Sequence, residues 1–198
     1  MTADASNRFL IESQPRVAAL ERLGGLKAGR LDKVRLDINE NVVGFSDRVV
    51  EEMLATVTPN FLSSYPEPGP LYERIAQLHK VDTKQVLVSA GSELAIRYVF
   101  ETYLGPNTEL LVLDPSFAMF AVYAQLVGAR VITVPCSAQL TFSVDDILER
   151  MSPRTRIVAV ANPNNPTGSV LSEVDLLTIV DRAASCGALV LVDEAYFY

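Results

Sequence analysis

Histidine occurs once and cysteine only twice in this 198-residue chain, so soft metal ligands are scarce. Cys136 and Cys186 have no metal-ligand spacing, and each sits in or beside an apolar segment. That pattern fits two reduced, buried thiols in a cytosolic protein. His79 stands near a helix end among Lys80 and Lys84 and reads as a solvated surface residue. Long apolar runs are also missing. The longest, Phe117 to Ala129, is interrupted by Gln125 and is too short to span a bilayer. The first 17 residues mix Asp4, Arg8, Glu12 and Arg16 with no sustained apolar stretch, which offers no signal peptide to argue for. There is no excess of positive charge. The net charge of −7 argues against nucleic acid and anionic membrane as partners. The only lysines are Lys27, Lys33, Lys80 and Lys84. No repeat or low-complexity tract is present.

The chain is 49% hydrophobic and 21% charged, which suits a soluble globular domain with a sizeable core. The first 35 or so residues read as an arm with one short helix, Arg16 to Leu23, ended by Gly24-Gly25. Asp47 is expected to cap a helix through Val57 with Val49, Val50, Met53, Leu54 and Val57 on one face. A proline-rich turn, Tyr65 to Pro70, leads into a helix ending near Lys80. Strand and helix then alternate. Strands are expected at 85–89, 110–113, 130–134, 156–161 and 188–192, with helices at 92–104, 116–127, 144–151 and 172–185. The strands are continuous apolar runs such as Ile157-Val158-Ala159-Val160. Strands covered on both faces look like this, so a mainly parallel sheet between two helical layers is indicated.

Ligands of open α/β sheets bind beyond the carboxyl ends of the strands, and the polar clusters of this chain fall there. Ala90-Gly91-Ser92-Glu93 opens a helix whose free N–H groups could receive a phosphate, or it is a plain helix cap. It has one glycine where a dinucleotide fingerprint needs three, which disfavours a nucleotide-binding dehydrogenase half. Phe117 could stack on a planar heterocycle or simply join Met119, Phe120 and Tyr123 in the core. Asn162 to Gly168 is a polar turn fixed by two prolines. An amide there could donate to a phenolate oxygen, or the turn could merely lead into a helix capped by Ser172. Asp193 ends a buried apolar strand, where a carboxylate needs a cation or several hydrogen bonds. Tyr196 could donate a phenol hydrogen bond into the same place.

Asn164-Asn165-Pro166-Thr167-Gly168 followed by Asp193-Glu194-Ala195-Tyr196 resembles the signature segments of the fold-type I pyridoxal phosphate (PLP) aminotransferases, in their histidinol-phosphate aminotransferase-like branch. The resemblance runs from about Leu36 onward. It implies that residues 1–45 form an arm and substrate-closing segment and that 46–198 are the N-terminal part of a PLP-binding large domain. It also implies that a C-terminal small domain is absent from these residues. It implies that Asp193 pairs with the pyridine nitrogen, that Asn165 and Tyr196 bind the phenolic oxygen, and that Phe117 stacks on the ring. Backbone N–H groups of Ser92 and Glu93 would bind the phosphate. Tyr65 resembles a tyrosine that reaches the neighbouring subunit's phosphate, so a homodimer is implied, and Asn39 and Glu40 would lie near substrate. The reaction implied is amine transfer from an amino acid or amino-phosphate to a 2-oxo acid, in the cytoplasm.

Several positions depart from the family's pattern. Asn39-Glu40-Asn41 is followed by Val42-Val43-Gly44 rather than Pro-Tyr-Gly, Ser64 replaces a common arginine, and Phe120 replaces a common tyrosine. No lysine follows Lys84, so the Schiff-base lysine is absent from these 198 residues. The expectation is a truncated chain that does not transaminate alone. Two alternatives remain: a decarboxylase of the threonine-phosphate type, and a non-catalytic PLP-binding module.

Overall fold

The computed structural model describes Gly29, residues 32–35 and residues 38–197. The helix expected at Arg16 to Leu23 lies outside them. The described residues fall into two compact units, one ending at Leu87 and one beginning at Val88.

The earlier unit is helical. Helix α1 (Asp47–Ala55) begins one residue earlier than a cap at Asp47 would require. Ser46 occupies the cap position with an extended backbone and makes no side-chain cap bond. Val50, Met53 and Leu54 of α1, and Val57 just beyond its end, stay exposed. The five-residue α2 (Pro59–Ser63) is capped by the Thr58 hydroxyl, which accepts from the Phe61 N–H. Helix α3 (Gly69–His79) ends at Lys80 in the left-handed conformation. The strand expected at 85–89 does not form. Asp82 accepts from the Lys84 N–H and Gln85 accepts from the Asp82 N–H, which draws Thr83–Gln85 into a 3-10 turn. Residues 86–89 follow outside any helix or strand.

The later unit is a four-stranded, wholly parallel sheet rather than the five strands expected. Its strands are β1 (Glu109–Asp114), β2 (Arg130–Pro135), β3 (Thr155–Ala161) and β4 (Leu189–Asp193), in the order β2-β1-β3-β4. Helix α4 (Gly91–Tyr103) precedes β1, α5 (Ala118–Leu126) joins β1 to β2, α6 (Val144–Glu149) joins β2 to β3, and α7 (Glu173–Cys186) joins β3 to β4. Successive strand residues face opposite sides, and both sides are apolar. Leu110, Val112, Ile157 and Ala159 meet Phe100 of α4 and Phe120 of α5. Leu111, Leu113, Val158 and Val160 meet Ile147 of α6 and Ile179 of α7. The result is a three-layer αβα sandwich. Burying one such aromatic or aliphatic side chain contributes about 1.5–3 kcal/mol.

The chain runs outward from β1 to β2, then crosses back to β3 on the other flank of β1. Because crossovers keep one hand, this reversal puts α5 on one face and α6 and α7 on the other. It also opens a crevice between the carboxyl ends of β1 and β3. At the amino ends the sheet is clamped instead. The buried Glu109 carboxylate accepts from Ser152 Oγ at 2.6 Å and from Arg154 Nε at 2.9 Å, with Arg130 Nη1 at 3.8 Å. The Ser152 hydroxyl first, and the two guanidinium groups with it, hold this carboxyl below the usual range against the opposing effect of burial. Both cysteines are half-buried.

Candidate active site

The crevice at the switch point is the site the strand order predicts. Ser92, Phe117, Ala161, Asn165, Asp193, Ala195 and Tyr196 line one cleft there, with about 330 Å³ of free space, part of it open to solvent.

Each wall has a local cause. Helix α4 starts at Gly91, whose φ of +81° suits a residue without a Cβ. Its cap position is Ala90, which has no side-chain oxygen, so no side chain caps this end. Ser92 is thus the second helical residue and not the cap. The N–H groups of Ser92 and Glu93 are left for an outside acceptor, at the positive end of a 13-residue helix. The Glu93 carboxylate is drawn aside by the Tyr123 hydroxyl, which donates to Oε1 at 2.7 Å.

Phe117 stands at the start of α5, half-buried against the core. Its ring meets Phe120 edge to face, with centroids 5.7 Å apart and planes at 86°. It therefore serves both as core and as cleft wall, and the two explanations open in the sequence are not exclusive.

The three asparagines of the β3 loop have different tasks. Asn162 closes the loop: its Nδ2 donates to the Leu171 carbonyl and its Oδ1 accepts from the Leu171 N–H. Asn164 is buried and donates to the Pro115 carbonyl. Asn165 makes no hydrogen bond through its amide to any described residue and lines the cleft.

The side chain of Asp193, the last residue of β4, accepts one hydrogen bond, from the Ala195 N–H at 3.1 Å. No cation among the described residues lies within ion-pair distance of it. Tyr196 follows in the same turn, on the cleft wall. A carboxylate without a cation, a free amide, a phenol, an aromatic ring and an uncapped helix start thus converge. This donor set fits a flat, cationic-nitrogen heterocycle that carries an anionic group.

Tyr65, Asn39 and Glu40 belong to the earlier unit. Tyr65 is fully exposed. Glu40 pairs with Arg35 at 3.1 Å. The neighbouring Asn41 accepts from the N–H groups of Val43 and Gly44, closing a turn at Gly44. Among the described residues no group of His, Cys, Asp and Glu side chains is arranged to hold a metal ion.

Residues 32–197 match the sequence profile of the family described as aminotransferase class I and II. The chain belongs to this aminotransferase family. It is 37% identical over 190 residues to a histidinol-phosphate aminotransferase of Hyphomonas neptunium, a match covering 94% of this chain and 51% of that protein. It is 36% identical over 170 residues to the one from Symbiobacterium thermophilum, covering 85% of this chain and 46% of the other. Among solved structures, a putative histidinol-phosphate aminotransferase from Erwinia carotovora atroseptica superposes with a TM-score of 0.74 at 25% identity, over 83% of this chain and 48% of that one. N-succinyldiaminopimelate aminotransferase from Mycobacterium tuberculosis gives 0.65 at 26% identity, over 75% and 41%. The chain spans about half the length of the curated relatives it matches.

Behind the cleft lies one residue whose weight the sequence concealed, Asn164. The motif marked the turn, yet nothing in the order of the letters says which asparagine turns inward. Ser116, its partner from the β1 loop, carried no signal beyond its place at a strand end.

Proposed function

We propose that this chain is the cofactor-binding part of a PLP-dependent aminotransferase that moves an amine from an amino acid or amino-phosphate to a 2-oxo acid. The observation that carries the reading is the convergence of Ser92, Phe117, Asn165, Asp193 and Tyr196 on one cleft. When bound, PLP supplies an electron-withdrawing ring that takes up the charge left on a substrate carbon as one of its bonds breaks. The residues of this chain bind and orient that ring. Asp193 holds a proton on the ring nitrogen, because a carboxylate stabilises a neighbouring cation. Asn165 and Tyr196 donate to the phenolic oxygen. Phe117 covers one ring face, and the Ser92 and Glu93 N–H groups hold the phosphate.

Tyr65 acts across a homodimer and reaches the phosphate of the other subunit, and Asn39 and Glu40 lie on the substrate side. The protein works in the cytoplasm, in keeping with its two free thiols; among the described residues no helix is long and apolar enough to cross a membrane. Residues 88–198 contain no lysine, so the amine that PLP chemistry uses as nucleophile and proton carrier is not on this unit. The 198 residues alone therefore bind the cofactor without turning over.

The test is an amino-donor panel, histidinol phosphate included, run with the complete gene product and separately with this chain. Consumption of 2-oxo acid coupled to loss of donor amine by the complete product, and none by the chain, is the expected result. Release of CO2 in place of amine transfer would move the protein to the decarboxylases. Turnover by the 198 residues alone would contradict the division of labour.

A further inference from the structure

The loops after β1 and β3 are separated by 48 residues in sequence, and one buried side chain joins them. Asn164 is 3% exposed. Its Oδ1 accepts from Ser116 Oγ at 2.7 Å, and its Nδ2 donates to the Pro115 carbonyl at 2.9 Å and to Thr167 Oγ1 at 2.8 Å. The Pro115 carbonyl can only accept, so it settles which end of the amide faces it. Both amide protons and the carbonyl oxygen are engaged. The Asn164 backbone is held too: its N–H donates to the Ser169 carbonyl, and its carbonyl accepts from the Gly168 N–H, each at 2.8 Å. Thr167 and Ser169 share a further hydroxyl bond at 2.7 Å.

The neighbours of this link are the cleft residues. Ser116 precedes Phe117, and Asn164 precedes Asn165. Asn164 is turned into the protein while Asn165 lines the cleft. Phe117 and Asn165 lie on different loops, so their spacing depends on what fixes one loop to the other.

We propose that Asn164 is a positioning residue: its amide locks the β1 loop to the β3 loop and so fixes Phe117 and Asn165 at the spacing a flat ligand requires. The lock is a property of this chain; that the ligand is PLP rests on the function proposed above. A buried amide with every bond made holds one geometry, because any shift leaves a polar group unpaired in a dry place.

Amide hydrogen exchange tests the lock without any ligand. Removing the Ser116 hydroxyl, Ser116→Ala, is expected to speed exchange of the Asn164 and Gly168 amides, 48 or more residues away, by about fivefold, as loss of one ordinary hydrogen bond would. Ser116→Thr, which keeps the hydroxyl, should restore the slow rate. Asn164→Ala should act in the reverse direction and speed exchange at Phe120, whose N–H donates to the Phe117 carbonyl. Slow amides within β1 serve as the control for folding. Exchange in the opposite loop within twofold of the parent in both variants overturns the proposal.

The second readout is the affinity for PLP beside that for inorganic phosphate. Ser116→Ala should weaken PLP about fivefold and leave phosphate unchanged, since the helix start at Ser92 takes no part in the lock. If the parent chain binds no PLP while the cross-loop exchange effect is present, the cofactor reading fails and the lock stands. If PLP binds and exchange is unmoved, the lock fails and the cofactor reading stands.

Discussion

The two units of this chain use apolar residues in opposite ways. From Val88 onward, apolar side chains alternate along four strands, and both faces of the sheet are buried. Before Leu87, Ala76 is the only buried hydrophobic among the described residues, while Met53, Leu54, Phe61 and Leu62 are all exposed. The earlier unit is held by local bonds instead: the Thr58 cap, the Asp82–Gln85 box and the left-handed Lys80. The difference teaches that an amphipathic helix and a core are separate achievements. A helix forms from its own periodicity and termini, whereas burial needs a second surface.

The sharpest way to break this comparison is to truncate one large apolar residue in each unit. Phe100→Ala, at a fully buried position between α4 and the sheet, should cost about 3–5 kcal/mol in denaturant unfolding. Leu54→Ala on α1, 63% exposed, should stay within about 0.5 kcal/mol. Equal losses would show that α1 is packed as firmly as α4.

Helix caps sharpen the comparison at a smaller scale. Ser172 caps α7 in a reciprocal box with Asp175, so Ser172→Ala should cost about 1 kcal/mol. Ser46 holds the same position at α1 without a side-chain bond, so Ser46→Ala should change stability by a few tenths of a kcal/mol at most. Thermal melts of the two variants side by side would reveal any departure.

The smallest effect is confined to acid. Glu109 ionises more readily when folded than when unfolded. It therefore adds stability above the ordinary carboxylate pKa, and that stability is lost as pH falls through the lower, folded value. Glu109→Gln should flatten the acid limb of the stability curve relative to the parent and be less stable at neutral pH. An unchanged acid limb would mean that the clamp of Ser152, Arg154 and Arg130 does not favour the ionised carboxylate.

The sheet unit was legible because its strands are continuous apolar runs and its polar clusters fall at strand ends. The run Val86-Leu87-Val88 misled for the same reason. It is apolar enough for a strand, but Asp82 and Gln85 turn the chain just before it, and a strand exists only where a neighbour completes the ladder. Helix starts were displaced by one or two residues where the cap residue lacks an oxygen, as at Ala90 and Phe117. In the site, Asp193, Asn165 and Phe117 could be picked out from residue type and place. Asn164 could not, because the side a side chain takes in a proline-bounded turn depends on loops far apart in sequence.

The central claim is that the switch-point cleft binds PLP, and equilibrium titration of the chain with PLP tests it most directly. The parent should bind one equivalent saturably, and Asp193→Ala and Asn165→Ala should each weaken binding by at least about tenfold while leaving the fold intact, as loss of an interaction with a charged group would. Absence of saturable binding, or the same affinity in all three proteins, would contradict the account.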